Sequence, residues 1–334
     1  MQASQVRRMM VHMLAAVLVL CMSVGLAGAQ EDKFPVKPIR MIITHDVGGS
    51  VDIAGRSLIP YLEKNLGVNI QPENMVGAGG RRAMEYVFNQ APADGYTIVV
   101  SAFPSRLLGE LTYPDSKYKM AEFVHLGAWL GKDYRSILVA RASKLQSLQD
   151  LINESKKRKL TAAGGGGLGS TSQLQAVMLK EVVGMNAEFI PFDSTAEVAA
   201  AVLGKHVDFG LMPLSSSLRY EATGDIKIVA VHSPQRIPEC PDVPTMEELG
   251  FPGVVIPYGV GAWAPPKTPP SRAKILADAI WKAANDPAYT QWANKAGVLL
   301  EPLTAEEFLK RTLDDYKSIQ KVLPILMREA GTAK

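Results

Sequence analysis

Ile39-Arg40-Met41-Ile42-Ile43 running into Thr44-His45-Asp46-Val47-Gly48-Gly49-Ser50-Val51-Asp52 is a strand-to-helix junction opened by a glycine-rich turn. Lys159-Leu160-Thr161-Ala162-Ala163 running into Gly164-Gly165-Gly166-Gly167-Leu168-Gly169-Ser170-Thr171-Ser172 is a second. A helix that starts at such a turn aims unpaired backbone N–H groups and the positive end of its dipole outward, so each junction suits an anionic or polar ligand. Two of them in one chain predict a cleft gripped from both sides.

Outward from these turns, short apolar runs alternate with amphipathic stretches, which predicts βα units around a largely parallel sheet and an α/β fold class. Strands are expected at Ile39 to Ile43, Val68 to Gln71, Thr97 to Ser101 and Ile137 to Ala140. The first helix carries Leu58, Leu62 and Leu66 on one face and ends at Gly67, with Pro60 expected to bend or shorten it. After the second turn, Leu174, Val177, Met178 and Val182 form a helical stripe. Strands at Ala187 to Pro191, Val207 to Met212 and Ile226 to Val231 and a helix at Ala196 to Leu203 follow. Beyond the stiff Pro265-Pro266-Lys267-Thr268-Pro269-Pro270 the chain reads as helical throughout, without strands, and Thr304-Ala305-Glu306-Glu307 is a capping box. These last helices are expected to return to the first domain.

At the amino terminus, Arg7 and Arg8 precede an apolar run from Met9 to Leu26 that ends in Ala27-Gly28-Ala29. That pattern predicts an export signal over residues 1–29 cleaved after Ala29, in preference to a retained membrane anchor. Leu20 before Cys21 argues against a lipoprotein. Removing Arg7 and Arg8 takes the formal charge from +3 to +1, a balance that calls for neither nucleic acid nor an anionic membrane. The mature chain keeps only Cys240, so no intramolecular disulfide forms.

The second turn fits several chemistries by spacing alone. Gly164, Gly166 and Gly169 satisfy a dinucleotide-binding pattern, but Glu188 precedes the next strand instead of closing it. The outer frame of a phosphate loop is present, yet its lysine position is Ser170. No cofactor is therefore expected. Direct ligand binding by backbone N–H groups and the hydroxyls of Ser170, Thr171 and Ser172 remains, beside ordinary helix capping. At the first turn Gly48 and Gly49 allow close approach of a ligand, whereas Ser50 or Asp52 could cap the helix. Gly48-Gly49-Ser50-Val51-Asp52 resembles a nucleophile elbow with Asp52 in place of the last glycine, and the histidines are scattered. No metal motif appears.

In order along the chain stand Phe34-Pro35-x-x-Pro38-Ile39, Gly48-Gly49-x-x-Asp52-x-x-x-Arg56, Leu66-Gly67, Glu73-Asn74-x-x-Gly77-Ala78-Gly79-Gly80, Asp94-Gly95-Tyr96-Thr97, Gly167-Leu168-Gly169-Ser170, Val207-Asp208, Pro241-Asp242-Val243-Pro244-Thr245 and Gly261-x-x-Ala264-Pro265. In this order the chain resembles the Bug-type periplasmic receptors of tripartite tricarboxylate transporters. The resemblance implies a two-lobed type II periplasmic binding protein, with residues 34–133 plus 262–334 in one lobe and 134–261 in the other. It implies crossings near Asp133 and Gly261 and a small organic carboxylate held between the two glycine turns, partly through ordered water. It also implies a monomer without catalysis that serves inner-membrane transporter subunits, with lobe closure as a hinge motion. The alternatives are a receptor that signals without a transporter and an exported hydrolase using Ser50 or His45.

Departures from the resemblance point to specificity. Thr44-His45-Asp46-Val47 replaces the usual residues before the paired glycines, Gln173 a histidine, Phe192-Asp193 a tyrosine-lysine pair, and Leu211-Met212-Pro213 a segment that often holds an aspartate. The candidate ligand-binding residues are His45, Asp46, Gly48, Gly49, Ser50, Asp52, Ser101, Gly167, Gly169, Ser170, Thr171, Gln173, Phe192 and Asp193. An Asp46 facing the cleft would repel a carboxylate unless His45 or a ligand cation offset it. The expected ligand therefore carries at most one free carboxylate, or a hydroxyl or amine.

Overall fold

Strand β1 (Ile39–Ile43) leads through the first glycine turn into helix α1 (Ser50–Leu66). The computed structural model describes residues 33–329 except Pro114 and Leu168, so the expected export signal lies outside the described residues. The βα pattern continues with β2 (Ile70–Asn74), α2 (Arg81–Asn89), β3 (Thr97–Phe103) and α3 (Ser105–Thr112). A long strand β4 (Val124–Ala140) then opens a second set: α4 (Leu148–Ser155), β5 (Leu160–Gly165), α5 (Thr171–Glu181), β6 (Ala187–Phe192), α6 (Thr195–Leu203), β7 (Phe209–Pro213), α7 (Leu214–Glu221) and β8 (Ile226–Val231). The chain ends with β9 (Pro257–Ala264), α8 (Pro270–Ala284), α9 (Pro287–Lys295), β10 (Leu300–Leu303) and α10 (Ala305–Glu329). Among the described residues no helix is long and apolar enough to cross a membrane.

The strands lie in the order β2-β1-β3-β9-β4-β7-β5-β6, with β8 and β10 also paired to β4. The βα units pair in parallel, β1 with β2 and β3, and β5 with β6 and β7. Every pair made by β4, and that of β3 with β9, is antiparallel. The first half of β4 lies against β9 and β10, while its second half, from Arg135, lies against β7 and β8. One strand thus serves both halves of the sheet. Each half has its own core, one around Ile42, Val99, Phe103, Trp263 and Phe308, the other around Ile137, Leu160, Phe209 and Leu211.

Helix α1 buries Leu58 and Leu62 and stops where Gly67 turns left-handed and donates its N–H to the Glu63 carbonyl. It runs unbroken through Pro60. That residue is exposed, so water can satisfy the carbonyl its missing N–H leaves free, while the buried leucines on either side keep the helix on the sheet. The carboxyl-terminal segment departs from expectation, because Leu300-Glu301-Pro302-Leu303 is a strand. It is short and pairs only with β4, and such an edge tolerates a proline. The glycine-rich run before Pro265 is the strand β9. The predicted capping box holds: Thr304 Oγ1 accepts from Glu307 N–H, and Glu307 accepts from Thr304 N–H at 2.8 Å.

Helix α5 seats closely on β5 and β6 because Gly164 has no side chain. A Cβ there would lie 2.4 Å from the Phe189 ring and 2.6 Å from Ser172 Cβ. Gly164→Ala is expected to destabilise the protein by about 1–3 kcal/mol, measured by urea unfolding; a stability equal to wild type would contradict this packing.

Candidate functional site

The starts of α1, α5 and α6 converge on one enclosed space. His45, Gly49 and Ser50 line it from the first turn, Gly165, Gly166 and Thr171 from the second, and Ser194 and Thr195 from the start of α6. Ala102 and Ser105 close it beside β3, and Arg135, Pro213 and Tyr258 form the rest of its wall. Its volume is about 20 Å³, room for about one water, so a ligand enters only if the two sides part.

The first turn is braced from behind. Asp52, buried, accepts from Gly48 N–H at 2.9 Å, from Arg56 at 2.7 Å and from Asn74 at 2.8 Å. Asn74 also donates to the His45 carbonyl at 2.7 Å. Asp52 therefore shapes the turn and does not line the cavity. Ser101 plays a similar part, bonding Thr44 Oγ1 at 2.8 Å, while Thr44 Oγ1 also meets His45 Nδ1 at 2.8 Å. Burial, then the neighbouring Arg106 charge, hold the His45 imidazole down to about 3. It is neutral at neutral pH, so it supplies no cation to offset Asp46.

The second turn is braced in the same way. Ser170 caps α5, accepting from Gln173 N–H and donating to the Gly167 carbonyl at 2.7 Å. Gln173 Oε1 accepts from Gly169 N–H at 2.7 Å. Gly169 itself faces Gly109 and Tyr113, where a Cβ would come within 3.1 Å and 2.9 Å. Ser170, Gln173 and Gly169 thus build the turn, and Thr171 is the member of that group that reaches the cavity.

Several contacts hold the two sides together. Ser50 N–H donates to Thr195 Oγ1 at 3.1 Å, and Thr171 N–H donates to Ser105 Oγ at 3.3 Å. Gly167, left-handed at φ +69°, approaches Gly79 so closely that a Cβ would lie 3.0 Å from its Cα. Outside that contact lies an outer cavity of about 450 Å³, lined by Ala78, Gly79, Arg81 and Tyr113 on one side and by Gly167, Phe192, Asp193 and Glu197 on the other. Gly48 is exposed at the rim of the first turn, and Asp46 is half-buried. The Asp46 carboxyl is held above its usual range by burial and then by the charges of Glu197 and Asp193.

Ser50 Oγ bonds Tyr258 OH at 2.9 Å. Burial pushes the Tyr258 phenol up to about 12, so it is no base at neutral pH, and no Ser50–His45 hydrogen bond exists among the described residues. The arrangement offers convergent N–H groups and hydroxyls and lacks an activated nucleophile.

Sequence reasoning missed Arg135, Tyr258, Ser105, Ser194 and Thr195. The α6 start did carry a signal: Ser194 accepts from Glu197 N–H and Glu197 accepts from Asp193 N–H, a serine followed three residues later by glutamate. Arg106, also missed, is buried with one nitrogen donating to the Gly79 carbonyl, while its Nε and Nη2 have no hydrogen-bond partner among the described residues.

Helix starts facing each other across a closed space, on a sheet whose halves share one long strand, define a solute-binding protein that grips its ligand between two sides. Comparison with known proteins agrees. The family model described as "Tripartite tricarboxylate transporter family receptor" matches residues 55–323. BugT of Bordetella pertussis is 30% identical over 271 residues, 80% of this chain and 82% of BugT. The structure of periplasmic binding protein BugD superposes with a TM-score of 0.79 at 26% identity, covering 87% of this chain and 99% of BugD. MatC from Rhodopseudomonas palustris, solved with bound malate, shares the fold with a TM-score of 0.80 at 22% identity, covering 87% and 100%. The chain belongs to the tripartite tricarboxylate transporter receptor family.

Two outcomes test this geometry. Thr195→Val removes the acceptor for Ser50 N–H only when the sides are closed, and is expected to weaken ligand binding about fivefold, or ~1 kcal/mol, by calorimetry. Unchanged affinity would mean the contact does not secure closure. Because the Asp46 carboxyl is raised here, its protonated form favours the closed arrangement. Closure is then strongest at acidic pH and weakens as pH rises through the Asp46 pKa. Small-angle scattering of Asp46→Asn should show that pH dependence flattened, and a profile identical to wild type would remove Asp46 from the account.

Proposed function

We propose that the protein is a periplasmic receptor that captures a small organic carboxylate between two lobes and delivers it to inner-membrane subunits of a tripartite tricarboxylate-type transporter. In this reading the lobes are residues 34–133 plus 262–334 and residues 134–261, and the mature monomer begins after Ala29. The observation that carries it is the meeting of the α1, α5 and α6 starts around one enclosed space, bridged by the Ser50–Thr195 hydrogen bond. Each start contributes a positive dipole end and backbone N–H groups, and those of Ser50 and Thr171, bonded across the two sides here, are freed when the sides part; together these suit an oxyanion.

Family membership and the shared fold with a malate-bound protein support the carboxylate class. The protein acts as a carrier without catalysis, since a carrier must hold and release its ligand unchanged. Opening about β4 and β9, the strands that join the two halves of the sheet, admits the ligand, and closure presents a surface that a transporter can sense.

Native mass spectrometry of protein purified without refolding should show a small acid retained in the cleft. Isothermal titration with organic carboxylates should give saturable binding of a single equivalent. A protein that binds none of them and carries no small acid would overturn the carboxylate reading.

A further inference from the structure

Arg135 stands where β4 passes from one half of the sheet to the other. It is 2% exposed and lines the inner cavity. Two of its nitrogens are committed: Nη2 donates to Ser172 Oγ at 2.7 Å and Nε to Gln175 Oε1 at 3.2 Å. Both partners are fixed in turn. Ser172 Oγ donates to the Gly165 carbonyl at 2.7 Å, and Gln175 Nε2 donates to the Ser136 carbonyl at 3.0 Å, so each can only accept from the guanidinium. The Tyr258 ring lies 5.7 Å from the guanidinium carbon. These contacts orient the fork, yet none carries a negative charge.

The third nitrogen, Nη1, has no hydrogen bond among the described residues. Asp133, two residues earlier, directs its oxygens to Ser215, at 3.2 Å from the N–H and 2.5 Å from Oγ, and forms no ion pair with Arg135. Arg135 is therefore a buried, oriented cation without a bonded counter-ion, a costly arrangement that a bound anion would relieve. Toward the outer cavity the sign reverses. Asp193 and Glu197 line that cavity and Asp46 lies within their field, while Arg81, on the opposite wall, is already engaged by Asp115 at 2.9 Å.

Resting on the receptor reading above, we propose that Arg135 Nη1 anchors the ligand's carboxylate at the inner end of the site, and that the ligand's outward end carries no second negative charge. The receptor then selects monocarboxylates, including those with an outward hydroxyl or ammonium, over dicarboxylates of matched length. Backbone N–H groups at the helix starts would hold any oxyanion. Arg135 sets which end of the ligand enters, and the acidic outer wall sets what the other end must lack.

The test is calorimetry of the wild-type protein and Arg135→Gln with matched pairs, 2-hydroxybutanoate against malate and hexanoate against adipate, with β-alanine added. In wild type the dicarboxylate of each pair is expected to bind about tenfold or more weakly than its partner. Arg135→Gln should lose about thirtyfold in affinity for the monocarboxylates. Tighter binding of the dicarboxylates, or wild-type affinity in Arg135→Gln, would overturn the proposal while leaving the receptor reading in place. Absence of binding by every carboxylate to wild type would overturn both. Should Arg135→Gln fail to fold, hexanamide against hexanoate on wild type decides the point, since equal binding of the neutral amide rules out a charged anchor.

Discussion

Strand β4 satisfies both halves of the sheet with one backbone, and the rest of the molecule is arranged around that constraint. Its first half must find partners in β9 and β10, its second half in β7 and β8, and between them Asp133 and Tyr134 still pair with Tyr258 and Pro257 of β9. The register shifts along this stretch show that the ladder is irregular where it changes partners. Side chains at the change of partners, Asp133 and Arg135, are charged and buried, which a regular apolar ladder would not tolerate without bonding partners such as Ser215, Ser172 and Gln175.

From that strand the geometry of the site follows. The βα units on either side aim their helix starts at the same place, because in each half the strands end toward β4's point of transfer. The turns themselves are rigid. Asp52, Asn74 and Arg56 tie the first to its own helix and strand, while Ser170 and Gln173 tie the second. Charge then grades across the site, from buried guanidinium groups inside to carboxylates outside, with a neutral His45 between them.

Much of this was legible in the chain before any coordinates. Ile39–Ile43 and Ile226–Val231 form strands with the bounds their apolar runs imply, and the Thr304 capping box and the Gly67 stop sit where local chemistry puts them. Such features depend on neighbours within a few residues. Legibility ends where distant segments meet. Ser170, Gln173 and Asp52 are spaced to cap or to bind, and spacing does not say which way their oxygens point. Arg135 follows a tyrosine at the edge of an apolar run and reads as a solvated strand end until Gln175 and Ser172 are seen to cover it. Strand β10 hides for the opposite reason, since Pro302 argues against a strand except at an edge, and only the sheet order reveals the edge.

The bond from Ser50 N–H to Thr195 Oγ1 has an evolutionary consequence. On the α1 side the latch is a main-chain donor, present whatever side chain stands at that position. That hydrogen bond therefore does not depend on which side chain stands at position 50. Substitutions at His45 or Ala102 can redraw the interior without removing that bond. A scaffold built this way is highly evolvable: new ligands can be explored by drift in the lining while the moving parts remain inherited intact.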